Sequence, residues 1–353
     1  MNSFRQLHQP TSRIIHLHQK DYLFFGGTAY FGLLVSQEYQ ALIQEGFSIY
    51  GLNNGTSRSN NVQLGIYDEG EAVLAGRFGQ EDAALFSSGY LAAQAAVKAF
   101  ARNRAVYYAP NTHQALWIDE KPTVYQSDFK EWINQVIQDI NESTETEVLI
   151  IANAMDNLKP EVYDFNQLRN IIPSKNVVLI LDDSHGLGVV NKNGVSSKIV
   201  NLAYAPHIST IIVASLAKGL GTDAGVVLGN RHLISEIKKT PIFMGASPSS
   251  PAFIYALTKS ESLYDEAFDK LHQNIKELTS RLSDNSLLNY EENFPVFTSS
   301  DSNLYQYLFQ NEMIISSFPY PLPSSPLLNR IVLSSLHTKA DIEKLTDVLQ
   351  SYV

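Results

Sequence analysis

Short apolar runs punctuate the middle of the chain, at residues 83–86, 105–108, 148–152, 177–181, 208–214 and 225–228. Apart from Ser209 and Thr210, the runs are apolar on consecutive positions rather than on alternate ones, which predicts strands buried on both faces of a largely parallel sheet. Amphipathic stretches lie between them. The clearest opens at Ser127, read as an N-cap, and places Phe129, Trp132, Ile133, Val136, Ile137 and Ile140 at i, i+3, i+4, i+7, i+8 and i+11. That spacing is one buried stripe of a helix. Strand–helix alternation of this kind predicts an α/β doubly wound domain.

The ends of the chain read differently. From about Pro241 prolines recur, at 248, 251, 319, 321, 323 and 326, and the alternation loses regularity. Apolar runs at 313–315 and 331–333 predict strands of a smaller sheet. A last helix opens at Thr338, with Asp341 in capping-box spacing, and turns Ile342, Leu345 and Leu349 inward. The expected organisation is a large domain over 41–240 and a small α+β domain built from both ends, 1–40 and 241–353.

Composition narrows the function. The 353 residues, 44% hydrophobic and 18% charged, suit a soluble globular protein. A formal net charge of −10 argues against nucleic acid or an anionic membrane as partner, so an anionic ligand must be held by local donors. The absence of cysteine excludes disulfides, thiolate metal sites and cysteine nucleophiles, and no metal is expected. With no apolar h-region before residue 10 and no run long enough to cross a bilayer, a cytoplasmic protein is expected.

Four segments carry candidate chemistry. Phe86-Ser87-Ser88-Gly89-Tyr90 turns a strand into a helix, leaving backbone N–H groups that favour a phosphate or simply an ordinary cap. Asp182-Asp183-Ser184-His185-Gly186 follows an apolar strand, where α/β sheets bind ligands, although an aspartate capping the next turn reads equally well. Ser215-Leu216-Ala217-Lys218-Gly219-Leu220-Gly221 delivers a lysine into a glycine-rich turn. A lysine amine can form an imine with an aldehyde cofactor, and pyridoxal-phosphate (PLP) chemistry also needs an acid beneath the pyridine nitrogen. Most lysines are only solvated surface charges. His113, in Asn111-Thr112-His113-Gln114, carries little meaning until placed with the others.

Together these segments resemble the α-oxoamine synthase family of PLP-dependent acyltransferases. Asp182-Asp183-Ser184-His185-Gly186 is similar to that family's Asp-[Glu/Asp]-Ala-His-Gly, and Ser215 to Gly221 to its Thr/Ser-x-x-Lys-x-x-Gly. Ser88-Gly89-Tyr90, Asn111-Thr112-His113, Gly55-Thr56-Ser57-Arg58 and Arg330-Ile331-Val332-Leu333-Ser334 extend the likeness over about residues 22 to 350. The resemblance implies the type I fold of PLP-dependent transferases, with a mostly parallel seven-stranded sheet. It implies that Lys218 carries PLP as a Schiff base, that Asp182 pairs with the pyridinium nitrogen and that His185 bonds the phenolic oxygen. His113 would stack on the ring and donate a proton to the substrate carbonyl. Ser88, Gly89, Tyr90 and Ser215 would hold the phosphate, joined by Ser247 from a second subunit of a homodimer with shared sites. Arg330 would pair bidentately with an amino-acid carboxylate.

The chain departs from the family pattern around the substrate. Thr28, in Thr28-Ala29-Tyr30-Phe31-Gly32-Leu33, replaces a substrate-binding asparagine. The family's Glu-Gly-x-[Phe/Tyr]-Ser-Met-Asp-Gly-Asp segment is here Ile151-Ala152-Asn153-Ala154-Met155-Asp156-Asn157-Leu158, without the glutamate and the serine, so that Asn153 and Ala154 join Thr28 in an altered substrate shell. The favoured expectation is condensation of a small amino acid with an acyl-CoA-type thioester, with loss of CO₂. An aminotransferase or other Cα-transforming enzyme is the alternative. A catalytically silent partner protein is disfavoured by the intact Asp182, His185 and Lys218.

Overall fold

The computed structural model describes residues 4, 6–119, 122, 127–156, 158–282, 287–319 and 324–352. Pro321, Pro323 and Asn157, each part of a pattern noted above, lie outside them.

All six predicted strands of the large sheet form. In spatial order they are Asp82–Phe86, Gly225–Gly229, Ile208–Ser215, Asn176–Asp182, Glu147–Asn153 and Ala105–Tyr108. Gly225–Gly229 runs antiparallel to both neighbours and the other five share one direction. The sheet has six strands among the described residues rather than seven; the described part of 109–128 contributes none.

The absence of alternation in these strands follows from two cores. Ala83, Leu85, Val148, Ile150, Val177, Leu179, Ile212 and Val226 bury into one cluster, and Ala84, Phe86, Leu149, Ile151, Val178, Ile180, Ile211 and Val227 into another. Successive residues of a strand point to opposite faces, so a sheet covered on both sides must be apolar throughout. The second face is covered by the helix Gly89–Phe100, whose Ala92, Ala93, Ala95 and Ala96 are fully buried. Their small side chains let the helix backbone approach the sheet closely.

The helix Phe129–Glu142 covers part of the first face through the predicted stripe, with Trp132, Val136 and Ile140 wholly buried. Its N-cap is Asp128, not Ser127: the Asp128 carboxylate accepts the Glu131 N–H at 2.8 Å, satisfying an otherwise orphaned donor. An ionised carboxylate one residue nearer the helix outcompetes the hydroxyl for that donor and complements the helix dipole.

A second sheet has the order Ile14–Leu17, Lys20–Phe25, Met313–Pro319, Leu327–Val332, Val296–Ser299 and Asn289–Tyr290. Lys20–Phe25 pairs in parallel with Met313–Pro319, so residues nearly 300 positions apart share one sheet. The run expected at 331–333 is the end of the longer strand Leu327–Val332. The capping box at Thr338 and Asp341 opens the helix Lys339–Gln350 as the spacing predicts. No helix among the described residues is long and apolar enough to cross a membrane.

Candidate active site

Lys218 lies in a hairpin. Ser215 pairs with Gly225 across the two strands, and the turn is closed by Leu216 N–H donating to Ala224 O at 2.9 Å and Thr222 N–H to Leu216 O at 3.1 Å. The next strand over ends at Asp182, opposite Val213, and the chain then turns through His185. Adjacent strand ends thus bring together residues 33 positions apart: Lys218 Nζ is 3.0 Å from His185 Nε2. Burial pushes the lysine amine below its ordinary pKa; the Asp182 carboxylate pulls it back up and Arg330 lowers it again.

His185 is bracketed on its other nitrogen. The Tyr30 hydroxyl is 2.8 Å from Nδ1, and the Tyr30 ring packs edge-on against His185 and Phe294. Burial holds the imidazole well below its usual pKa, and the neighbouring Lys218, Arg330 and His113 add to the effect. Tyr30 is wholly buried, which pushes its phenol up to about 12 against the pull of the neighbouring Arg330.

Arg330 is 6% exposed, and its Nε and Nη2 are buried with no hydrogen-bond partner among the described residues. Buried guanidinium N–H groups are ordinarily satisfied. The two here have the spacing with which a guanidinium can donate to both oxygens of a carboxylate.

The expected phosphate end is built by close approach. Ser88 caps the helix Gly89–Phe100, its hydroxyl accepting the Leu91 N–H at 3.2 Å. A Cβ on Gly89 would stand 2.6 Å from Ser215 Cβ, and one on Gly225 would stand 2.2 Å from Ser88 O. Glycine at both positions packs the helix N-terminus against the start of the Lys218 hairpin. Tyr90, in the first turn, is exposed.

Asp182 ends its strand with Oδ1 accepting the Ser184 N–H at 2.9 Å, and the Ser184 hydroxyl accepts the Ser215 N–H at 2.9 Å. The adjacent Asp183 has a different part. Fully buried, it accepts the Ser196 N–H at 2.7 Å and the Ser196 hydroxyl, fastening the loop that follows His185. Burial pushes its carboxyl up to about 7, opposed by the Ser196 bonds.

His113 is exposed on the turn after the strand Ala105–Tyr108, close enough to bear on His185 electrostatically. Thr28 is half-buried, its carbonyl accepting the Tyr30 N–H at 2.9 Å. Ser247 is exposed after the helix Pro241–Gly245 and makes no hydrogen bond to the cluster among the described residues. Arg58, from the loop 55–58, is held by its own chain: it pairs with Glu71 at 3.2 Å and lies between the rings of Tyr67 and Phe243.

Two residues of the site were not singled out by sequence. Tyr30 stood in a quoted run without a role. Asn153 read as a loss, yet its side chain clamps the His113 turn, accepting the His113 N–H at 3.0 Å and donating to Asn111 O at 2.7 Å.

Comparison with known proteins places the fold and the family. The chain is similar to 8-amino-7-oxononanoate synthase of Thermosipho melanesiensis, 22% identical over 96% of this chain and 90% of that protein. Serine palmitoyltransferase from S. paucimobilis, solved with PLP and myriocin bound, superposes with a TM-score of 0.81 at 17% identity, covering 98% of this chain and 90% of that one. The 8-amino-7-oxononanoate synthase of Francisella tularensis gives a TM-score of 0.69 at 21% identity, over 94% and 99%. The family model for aminotransferase class I and II matches residues 14–349. The chain belongs to the aminotransferase class I and II family.

Proposed function

We propose that this protein is a PLP-dependent acyltransferase that condenses a small amino acid with an acyl thioester, releasing CO₂ and giving an α-amino ketone. The observation that carries the reading is the buried cluster of Lys218, His185 and Arg330, in which a lysine of lowered pKa lies beside a guanidinium with two unpaired N–H groups. The residues present fit PLP: a buried amine, a carboxylate in reach of its charge, and a helix N-terminus kept open by Gly89 and Gly225. When bound, PLP supplies an aldehyde for the lysine and a ring that accepts electrons as the Cα–H bond opens.

Each residue then has a defined task. Lys218 Nζ, whose pKa burial lowers, accepts the Cα proton. The Asp182 carboxylate would pair with the pyridine nitrogen and favour its protonated form. Arg330 fixes the amino-acid carboxylate through Nε and Nη2. His113, held by Asn153, presents a proton donor to the carbonyl of the acyl group. Ser88, Gly89, Tyr90 and Ser215, with the partner's Ser247, hold the phosphate.

The likeness to 8-amino-7-oxononanoate synthases along nearly the whole chain supports acyl transfer over transamination. Transamination remains the second reading because it uses the same Lys218, Asp182 and Arg330.

The protein acts as a cytoplasmic homodimer, with a large unit over 41–240 and a small one from 1–40 and 241–353. Exposed Ile49, Leu52, Val62 and Met244 flank the loop 55–58 and Ser247 in sequence, which supports a covered face there. The deciding assay offers glycine, alanine or serine with several acyl-CoAs and follows free thiol and CO₂. Amino-acid-dependent release of both is expected. Conversion of the cofactor to pyridoxamine phosphate, reversed by a 2-oxo acid, would establish transamination instead.

A further inference from the structure

The turn at 183–190 touches the Lys218 hairpin at two points. His185 meets the lysine side chain, with Nε2 3.0 Å from Nζ. Val189 meets the backbone: a Cβ on Gly219, the residue after Lys218, would stand 2.6 Å from Val189 Cγ2, closer than side chains pack. We propose that this turn is the seat that positions Lys218, and that Asp183 is the positioning residue that locks it. The proposal rests on Lys218 being the cofactor lysine and holds for whichever reaction follows.

The lock is local and buried. Asp183 is fully buried and turns both carboxylate oxygens to Ser196, Oδ2 accepting the N–H at 2.7 Å and Oδ1 the hydroxyl. Ser196 in turn lies directly on the seat, since a Cβ on Gly186 would stand 2.3 Å from Ser196 Cβ. Backbone bonds close the turn itself. Gly186 and Leu187 N–H donate to Asp183 O at 3.1 and 2.9 Å, and Val189 and Val190 N–H donate to Gly186 O at 2.9 and 3.0 Å. Asp183 thus begins the run of bonds that ends at Val189. Gly188, at φ +70°, donates to Gly194 O at 3.1 Å, which returns the chain towards Ser196.

A second hold comes from the helix Glu261–Arg281. It brings His272 Nε2 within 2.8 Å of Val189 O, and its Asp269 lies 3.1 Å from Lys192 Nζ. Val189, only 1% exposed, is therefore pinned through its carbonyl while its side chain bears on Gly219. Close-packed interiors pass displacements on rather than absorb them, so a shift of the turn becomes a shift of the hairpin. Truncating Asp183 leaves the buried N–H and hydroxyl of Ser196 without their acceptor, and the segment bearing Ser196 lifts from the turn to satisfy them.

Hydrogen exchange tests the lock without cofactor. In protein free of PLP, Asp183→Ala should speed amide exchange over 216–224 by about tenfold. The helix Lys339–Gln350 should exchange as in wild type. An unchanged hairpin, or acceleration spread equally over both segments, would overturn the proposal.

A steric pair tests the seat. Gly219→Ala drives a methyl into Val189, and the PLP dissociation constant should rise by about tenfold, the scale of a modest overpacking. Adding Val189→Ala removes the obstruction, and both affinity and visible band should return to within roughly threefold of wild type. Wild-type affinity in Gly219→Ala, or a double variant no better than the single one, would overturn the proposal even if Asp183→Ala failed to fold. Absence of any PLP band in wild-type protein would instead strike the cofactor reading, leaving the exchange result to decide the seat.

Discussion

The Asn153 carboxamide grips both sides of the turn that carries His113: its oxygen accepts the His113 N–H at 3.0 Å and its nitrogen donates to the Asn111 carbonyl at 2.7 Å. Asn111 adopts a positive φ of 57°, a conformation asparagine tolerates better than most residues, so the turn is both strained and pinned. Asn153 is itself the last residue of a central strand, paired with Asp182. The position of His113 is thereby referred to the same strand end that presents the acid.

Asn153→Ala should loosen His113 without displacing the cofactor. Loss of two hydrogen bonds at a partly exposed site costs about 1–2 kcal/mol of stability, and turnover should fall by roughly tenfold as the proton donor loses its fixed place. Thermal melting and steady-state kinetics check both. Turnover equal to wild type would detach Asn153 from function.

Arg330→Lys keeps the charge but not the fork. The Michaelis constant for the amino acid should rise by roughly 10- to 100-fold, with the visible band intact, because a lysine cannot make two parallel bonds to a carboxylate. An amino-acid titration of the cofactor spectrum measures this directly.

Asp182→Asn should keep PLP bound and lose most Cα proton exchange, by about 10²-fold or more. Deuterium exchange from solvent into the free amino acid, with no acyl donor present, isolates that step. Exchange at the wild-type rate would remove Asp182 from the electron-accepting role.

His337 predicts an acid-side loss of stability. Its Nδ1 accepts the Ser334 N–H at 2.9 Å and its Nε2 faces the Phe24 carbonyl at 3.0 Å, an arrangement suited only to the neutral ring. Burial lowers its pKa from 6.5 to about 4. The unfolded chain therefore takes up a proton below pH 6.5 that the native state refuses, and stability falls until about pH 4. Asp183 works in the opposite sense: with its pKa raised from 3.8 to about 7, stability falls as pH rises through that range. Comparing wild type with His337→Gln cancels the Asp183 contribution. Between pH 7 and pH 5 the wild type should lose about 2 kcal/mol more than the variant in urea unfolding. Equal losses would mean the native ring is not held neutral.

Assembly is tested by dilution. A homodimer with shared sites should lose cofactor and activity together as it dissociates, and Ser247→Ala should weaken PLP binding while leaving the dimer intact. Sedimentation alongside absorbance follows both. A fully active monomer would contradict sharing.

The large sheet was legible because burial on both faces writes an unbroken apolar run into each strand, and the Lys218 and His185 turns were legible because each motif is contiguous. What escaped had no local trace. Tyr30 reaches His185 across 155 positions, and Asn153 reaches His113 across 40, through side-chain bonds that impose no periodicity. The N-cap escaped for a nearer reason. Ser127 and Asp128 are both cap-forming residues side by side, and only the geometry of the first turn chooses between them.

The parallel pairing of Lys20–Phe25 with Met313–Pro319 has a consequence for synthesis. The lysine hairpin, Asp182 and His185 leave the ribosome well before Arg330, and Tyr30 waits on the last strands to complete the sheet that leads into it. A growing chain can thus bring the Asp182 strand end beside the strand that leads to Lys218 before Arg330 and the strands that close the small sheet exist.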